Sequence, residues 1–165
     1  GGFAVSAALG GAASVVGVDS SAAAVALARR NAELNGVADR CAFVEADISE
    51  YMRASLAAGE TFGLIVLDPP KLAPNPKVLE KAARKYKKLN KMALRLLRPG
   101  GLLLTCTCSG AMTQSGTFPT VLRKAAVEAS RELRVLRTTG AGPDHAVDIF
   151  YPESEYLTAV LCQAH

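Results

Sequence analysis

The sequence predicts an α/β fold: a doubly wound, mostly parallel sheet with an antiparallel closing strand, and with the sheet's first strand missing. Three observations carry this. Short β-branched runs alternate with helical stretches along the chain, the connections between them are short, as crossover units require, and several runs end on an Asp, at the sheet edge where open α/β folds bind ligands.

The elements follow in order. Phe3 to Leu9 reads as a helix, and Gly1-Gly2 as the end of a glycine-bearing turn that should follow a strand. That strand is normally central in doubly wound sheets, so a truncated sequence is expected. Ala13 to Val18 is a short apolar run ending at Asp19 and predicts a buried strand. Ser20 or Ser21 can N-cap the next helix, which Asn35-Gly36 closes. Cys41 to Val44 predicts a second strand, ending near Asp47, and Phe62 to Leu67 a third, stopped by Asp68-Pro69-Pro70. A long helix over about Pro76 to Leu97 places Leu79, Ala82, Tyr86, Leu89, Ala93 and Leu96 at steps of 3 and 4, on one face. Arg98-Pro99-Gly100-Gly101 ends it, and Leu102 to Cys106 is the next strand. A helix from about Phe118 to Arg131 and strands near Leu133 to Arg137 and Tyr156 to Cys162 complete the chain. No convincing helix separates the last two strands, which is why an antiparallel pair is expected there.

Composition bounds the function. The 165 residues are 50% hydrophobic and 21% charged, enough apolar material for the buried core of one domain, which excludes a disordered or collagen-like chain. No apolar run approaches the roughly 18 residues of a membrane span, so no membrane association is expected. The chain opens Gly1-Gly2-Phe3 without Met or a basic leader, so no targeting segment is expected either. Cys41, Cys106, Cys108 and Cys162 are too few for a disulfide scaffold and read as reduced, intracellular thiols. They form no Cys-x-x-Cys pair and His145 and His165 lie far along the chain, so no metal site is expected. The net charge of +4 is uneven: residues 77 to 98 hold nine Lys or Arg against one acid, Glu80, a local +8 that leaves −4 on the remainder. One basic helix on a weakly acidic body offers a polyanion a single face, or is simply a solvated surface.

Four places hold residues with chemistry. A glycine turn at Gly1-Gly2 with Asp19 at the end of the next strand has the spacing of folds whose acidic residue accepts hydrogen bonds from ribose hydroxyls. Asp47 is placed to reach an adenine amino group, although an Asp after a strand also serves simply as a helix cap. Asp68-Pro69-Pro70-Lys71 is more specific. Two prolines directly after a hydrophobic strand stop its ladder and stiffen the exit, which fixes the carboxylate at the sheet edge, where it can bond the edge of a flipped base. In Thr105-Cys106-Thr107-Cys108-Ser109-Gly110, a cysteine at the mouth of a strand is either a nucleophile or a buried thiol. If the strand continued, Cys106 and Cys108 would face the same side. Asp144-His145 lies in a Gly-Pro-rich loop, where a His contacts substrate, acts as a base or is merely solvated.

Taken in order, Gly-Gly-Phe-Ala-Val-Ser-Ala, Val-Asp-Ser-Ser, Leu-Asp-Pro-Pro-Lys, Leu-Leu-Thr-Cys-Thr-Cys-Ser-Gly-Ala-Met, Asp-His and Tyr-Pro-Glu-Ser-Glu-Tyr-Leu resemble the large-subunit ribosomal RNA methyltransferase I family. The resemblance runs in register over essentially the whole chain. It implies a Rossmann-like class I methyltransferase fold, S-adenosylmethionine as cofactor, large-subunit ribosomal RNA as partner, and methylation of cytosine C5 in the cytoplasm, an organelle being the alternative. It also implies that residues 1–165 are a catalytic domain lacking its first strand, and that the family's N-terminal RNA-binding and middle domains are missing. By the same resemblance Cys108 is the nucleophile and Asp68 its catalytic partner. Gly1, Gly2, Phe3, Asp19, Ser20, Asp47 and Asp68 hold the cofactor, and Pro69, Pro70 and Lys71 the substrate. Cys106 ranks second to Cys108.

The competing readings differ at named residues. A methyltransferase acting on an adenine amino group would want an aromatic residue where Lys71 stands and has no need of Cys108. A nicotinamide oxidoreductase shares the glycine turn and Asp19 but leaves Asp68-Pro69-Pro70-Lys71 unexplained. A truncated, non-catalytic RNA-binding module is the remaining alternative.

Overall fold

The computed structural model describes residues 1–73 and 75–165, with Pro76 by its backbone only. The chain forms two compact units, Gly1–Ser55 and Leu56–His165.

The first unit contains α1 (Gly2–Leu9), β1 (Val15–Asp19), α2 (Ala22–Leu34), a 3-10 turn at Ala38–Arg40, β2 (Cys41–Glu45) and most of α3 (Ile48–Ala57). β1 and β2 pair in parallel, from Val15 opposite Cys41 to Asp19 opposite Glu45. Alanines let the helices come close: Ala4 and Ala8 of α1 and Ala28 and Ala32 of α2 are buried with Val5, Val25, Val37 and Phe43. The same closeness explains Gly17, where a Cβ would stand 2.7 Å from the Phe43 ring. Of the two serines expected at the start of α2, Ser21 is the cap, its Oγ accepting from the Ala24 N–H at 3.3 Å. Asn35 ends α2, followed by Gly36 with φ +65°, a left-handed position suited to glycine.

The second unit is built on a four-stranded sheet in the order β3 (Phe62–Leu67), β4 (Leu97–Thr107), β6 (Thr158–Ala164), β5 (Leu133–Thr139). β3 and β4 are parallel, and β6 runs antiparallel to both of its neighbours. The antiparallel strand is therefore present, but inside the sheet rather than closing it. The residue types explain the placement. β6 buries Val160, Cys162 and Ala164 on one face, whereas β5 carries Arg134 and Arg137 and is exposed along nearly its whole length, as befits an edge.

Over β3 and β4 lies α4 (Leu79–Leu96), packed against α6 (Thr117–Ala129). Ala82, Tyr86, Leu89, Ala93 and Leu96 are buried as their spacing predicts, and so are Asn90, Met92 and Leu94, so the second half of α4 is covered on more sides than an amphipathic pattern suggests. The helix begins later than expected: Pro76–Val78 is a 3-10 turn in which the Asn75 side chain accepts from the Lys77 N–H at 3.1 Å. β4 begins five residues earlier than expected, because Leu97 already pairs with Phe62 across a bulge. The carbonyls of Leu97 and Arg98 are taken up by the Arg131 guanidinium at 2.7 and 3.1 Å. Two helices were not foreseen, α3 and the short α5 (Gly110–Gln114).

Candidate functional site

In the first unit, the direction of α1 can be followed through its contacts. Arg40 donates to the carbonyl of Ala8 at 2.7 Å, the Cys41 thiol approaches the carbonyl of Ala4 at 3.9 Å, and Gly1 lies against Ala28 and the Phe43 ring. From Ala8 back to Gly1 the helix thus advances along β2 from its start toward its end, so α1 runs antiparallel to β2. Its N-terminus, with the unbonded N–H groups of its first turn, points to the carboxyl edge of the β1–β2 pair. Gly1 has no room for a side chain, since a Cβ there would sit 2.6 Å from the Ala28 Cβ. Phe3, 52% exposed, stands on the same first turn.

The carboxylates of that edge are held by short backbone bonds. Asp19 Oδ1 accepts from the Ser21 N–H at 2.8 Å. Asp47 Oδ1 accepts from the N–H groups of Ser49 and Glu50 at 2.8 and 3.1 Å and so caps α3. The capping reading is thus correct for Asp47, whereas Asp19 closes a turn onto Ser21, the residue that caps α2. These bonds use one oxygen of each, and among the described residues the other oxygen takes no hydrogen bond. Both residues are exposed, as is Ser20 between Asp19 and the cap. An edge with a helix N-terminus, a glycine and two outward carboxylate oxygens can take a ligand carrying both a negative group and hydroxyl or amine donors.

In the second unit, Asp68 follows Leu67, which pairs with Thr105, so Asp68 comes out beside the Cys106–Ser109 segment. The Cys108 thiol lies 3.9 Å from the carbonyl of Pro69. β4 ends at Thr107, and the alternation expected of a continuing strand gives way there to a turn into α5. Cys106 is buried and Cys108 half-buried. Burial, the Asp68 carboxylate and Cys108 push the Cys106 thiol up to about 11, which disfavours its thiolate. Burial also raises the pKa of Asp68, although the residue keeps exposed surface. Pro69 is buried and Lys71 exposed. The structure therefore brings together Asp68, Pro69 and Cys108, and separates the two cysteines by their surroundings.

Tyr86, Thr107 and Ser109 were not singled out by the sequence as site residues, yet they fasten this region. Thr107 Oγ1 donates to Tyr86 Oη at 2.9 Å, Tyr86 Oη and Ser109 Oγ share a bond of 3.2 Å, and Ser109 Oγ accepts from the Ala73 N–H at 3.0 Å. One signal was available: a tyrosine in an otherwise aliphatic buried stripe needs a partner for its hydroxyl. Away from this edge, His145 sits in an exposed loop, paired with Asp144 at 3.2 Å and edge-on to Tyr156. Cys162 is fully buried and its thiol pushed up to about 11, and Cys41 is half-buried against the first unit's core, so both belong to the packing. On α4, Lys87 and Lys91 are tied to Glu128 at 2.5 and 3.1 Å and Arg84 to Glu80, while Lys81, Lys85 and Lys88 are exposed at a spacing that aligns them along one stripe. Among the described residues, no three or more His, Cys, Asp or Glu come together as metal ligands, and no helix is long and apolar enough to cross a membrane.

Comparison with known proteins places the chain in a family and a fold. The chain is 43% identical over 164 residues to the ribosomal RNA large subunit methyltransferase I of Salmonella arizonae, a match spanning 99% of this chain and 40% of that protein. The chain thus spans about 40% of the length of the curated relatives it matches. Among solved structures it is similar to a putative SAM-dependent methyltransferase from Streptococcus mutans, with a TM-score of 0.84 and 25% identity over 98% of this chain and 41% of that one. It is also similar to a putative methyltransferase complexed with SAH, with a TM-score of 0.80 and 26% identity over 98% of this chain and 42% of that one. These similarities bear out the Rossmann-like α/β fold. The methyltransferase domain family itself matches over residues 1–150, and the chain belongs to that family.

Proposed function

We propose that residues 1–165 form the catalytic domain of an S-adenosylmethionine-dependent enzyme that methylates C5 of a cytosine in large-subunit ribosomal RNA, with Cys108 as the nucleophile. The observation that carries the proposal is the convergence of Asp68, the Pro69 carbonyl and the Cys108 thiol at the end of β3 and β4, beside a second thiol, Cys106, that is buried. Relatives named as ribosomal RNA large subunit methyltransferase I, and a similar structure complexed with SAH, support the same reading.

The first unit's edge has what the cofactor needs. Gly1 and Gly2 bring backbone close, Phe3 offers an apolar surface, the free oxygens of Asp19 and Asp47 accept from ribose hydroxyls and from an adenine amine, and Ser20 adds a hydroxyl. The bound cofactor supplies an electrophilic methyl group on a sulfonium.

Cytosine C5 is too weak a nucleophile to take that methyl unaided. The Cys108 thiol first loses its proton, a step favoured by positive charge such as that of Lys71. Its sulfur then adds to C6, and the π pair of the C5–C6 double bond moves to C5, which would take the methyl group as the methyl–sulfonium bond breaks with its electron pair left on the cofactor's sulfur. A water molecule acting as base takes the C5 proton, the C5–H electron pair restores the C5–C6 double bond, and the C6–S bond breaks with its pair on sulfur to return the thiolate. Asp68 holds the N3/N4 edge of the base, and its raised pKa favours a shared proton there as charge develops in the ring. Pro69 and Pro70 keep that carboxylate from swinging away. The base must leave any stack to be reached, which favours an unpaired or openable site. Lys81, Lys85 and Lys88 supply a sequence-independent attraction for the RNA backbone.

The test is a product analysis. Large-subunit ribosomal RNA is incubated with the full-length protein and S-adenosylmethionine, then digested to nucleosides and resolved by mass spectrometry. The proposal expects 5-methylcytidine, and a methyl group on any other atom overturns it.

A further inference from the structure

The reaction proposed above needs Cys108 and Asp68 at a fixed separation, yet the two residues leave different strands and enter different loops. We infer that the hydroxyl of Tyr86 is the pin that fixes that separation, and that Tyr86, Thr107 and Ser109 are positioning residues for the cysteine. The inference rests on the proposed function only for the identity of the reaction that is positioned.

Several observations support it. Thr107 and Ser109 flank Cys108 directly, and both hydroxyls bond the Tyr86 hydroxyl, at 2.9 and 3.2 Å. Ser109 N–H also donates back to Thr107 Oγ1 at 3.3 Å, which closes the turn around Cys108. On its other side Ser109 Oγ accepts from the Ala73 N–H at 3.0 Å, and Ala73 lies in the segment that follows β3 and carries Asp68-Pro69-Pro70-Lys71. Ser109 thereby ties the loop bearing the thiol to the loop bearing the carboxylate, and the Tyr86 hydroxyl holds Ser109 and Thr107 in place from α4. The 3.9 Å approach of the Cys108 thiol to the Pro69 carbonyl is the distance such a tie would set.

The pin is itself rigid. Tyr86 is fully buried on α4, its ring stands edge-on to Phe118 at 5.6 Å and 78°, and its carbonyl accepts from the Asn90 side chain at 2.9 Å. Thr107, Ser109 and Ala73 are also fully buried. In that setting an unmade hydrogen bond is not replaced by water, so loss of one hydroxyl leaves its partners unsatisfied and free to seek other rotamers. Packing alone would be served by Phe at position 86. The hydroxyl adds nothing apolar, and its only described partners are the two residues flanking the thiol.

Substitutions that keep shape and remove the hydroxyl test this. Tyr86→Phe and Thr107→Val are compared with Thr107→Ser, which keeps the hydroxyl. The readout is the single-turnover rate of covalent adduct formation with 5-fluorocytidine RNA, at saturating RNA and S-adenosylmethionine, below the melting temperature of each variant. Tyr86→Phe and Thr107→Val should each slow the adduct by about tenfold or more, the cofactor Kd should stay within twofold, and Thr107→Ser should restore most of the rate. A merely structural role would lower the melting temperature without this split, and wild-type adduct rates in both hydroxyl-lacking variants would overturn the inference. If the wild-type protein forms no adduct, the cytosine chemistry fails and the pin is judged by alkylation of Cys108 with iodoacetamide. A change of fivefold or more in Tyr86→Phe then supports it, and an unchanged rate overturns it.

Discussion

Each of the two units ends its parallel strands in a row of candidate site side chains, but the two rows are held in opposite ways. At the edge of β1 and β2, Asp19 and Asp47 are fixed by N–H groups two or three residues further along the chain, at 2.8 to 3.1 Å. At the edge of β3 and β4, Cys108 is fixed by residues far away in sequence: its flanking hydroxyls reach Tyr86 and, through Ser109, Ala73. A local cap is a property of a few residues and survives changes elsewhere. A long-range clip depends on the packing of α4 against the sheet. The difference suits the proposed tasks, since holding a small cofactor needs donors and acceptors in rough place, whereas addition of sulfur to a ring carbon is sensitive to small displacements.

That contrast can be broken first at the cysteines. Cys108→Ala should lower methyl transfer by at least about 10³-fold with cofactor affinity unchanged, whereas Cys106→Ala should leave the rate within a few-fold. The reason is its surroundings: Cys106 is buried in the sheet beside the Asp68 carboxylate, which pushes its thiol up to about 11 and disfavours the thiolate. A steady-state rate comparison checks both variants, and equal losses would remove the distinction between the two thiols.

The next largest effect is expected at the local edge. Asp19→Asn keeps an oxygen for the Ser21 N–H and removes the charge, so the fold should hold while cofactor binding weakens by about tenfold. Calorimetric titration with SAH reads this directly, and an unchanged Kd would leave Asp19 as a turn residue bonded to Ser21 and nothing more. Replacing Lys81, Lys85 and Lys88 together with Ala should act on RNA rather than cofactor. The slope of log affinity against log salt should become shallower by about 2 for three lost phosphate contacts, and an unmoved slope would make the stripe a solvated face.

The smallest effect is on stability. The pKa of Asp68 is raised in the folded protein, so the folded state holds the proton more tightly than the unfolded chain, and stability falls as pH rises above about 3.8. Asp68→Asn removes that loss. It should melt slightly higher than wild type at pH 7, with the gain shrinking as the pH is lowered toward 4, while its methyl transfer drops. A melting temperature that is lower at pH 7 would show the carboxylate to be stabilising instead.

The same contrast explains what could be read from the sequence. β3, α2 and the buried stripe of α4 follow from runs, caps and 3.6-residue periodicity, all of which are local. Asp19, Asp47 and Asp68 were legible because a carboxylate at the end of an apolar run marks a strand's carboxyl edge. The position of β6 between β4 and β5 was not, because strand order depends on which faces can be buried and not on the strand's own pattern. α3 was hidden by the short, mixed stretch from Ile48 to Ala57, and its start is marked only by Asp47, which had been weighed as a ligand-binding carboxylate. The two cysteines could not be told apart by spacing. They differ because β4 ends between them, leaving Cys106 in the sheet beside Asp68 and Cys108 in a turn. The partners of Tyr86 lie 21 and 23 residues away and only folding reveals them.

The central claim is that Cys108 bonds the base during methyl transfer. RNA carrying 5-fluorocytidine, whose fluorine blocks the final elimination, should be incubated with S-adenosylmethionine and the full-length protein and run on a denaturing gel beside Cys108→Ala and Cys106→Ala. The account predicts a covalent protein–RNA band for the wild type and for Cys106→Ala, and none for Cys108→Ala. A band that persists without Cys108, or no band from a wild-type protein that still methylates the RNA, would contradict it.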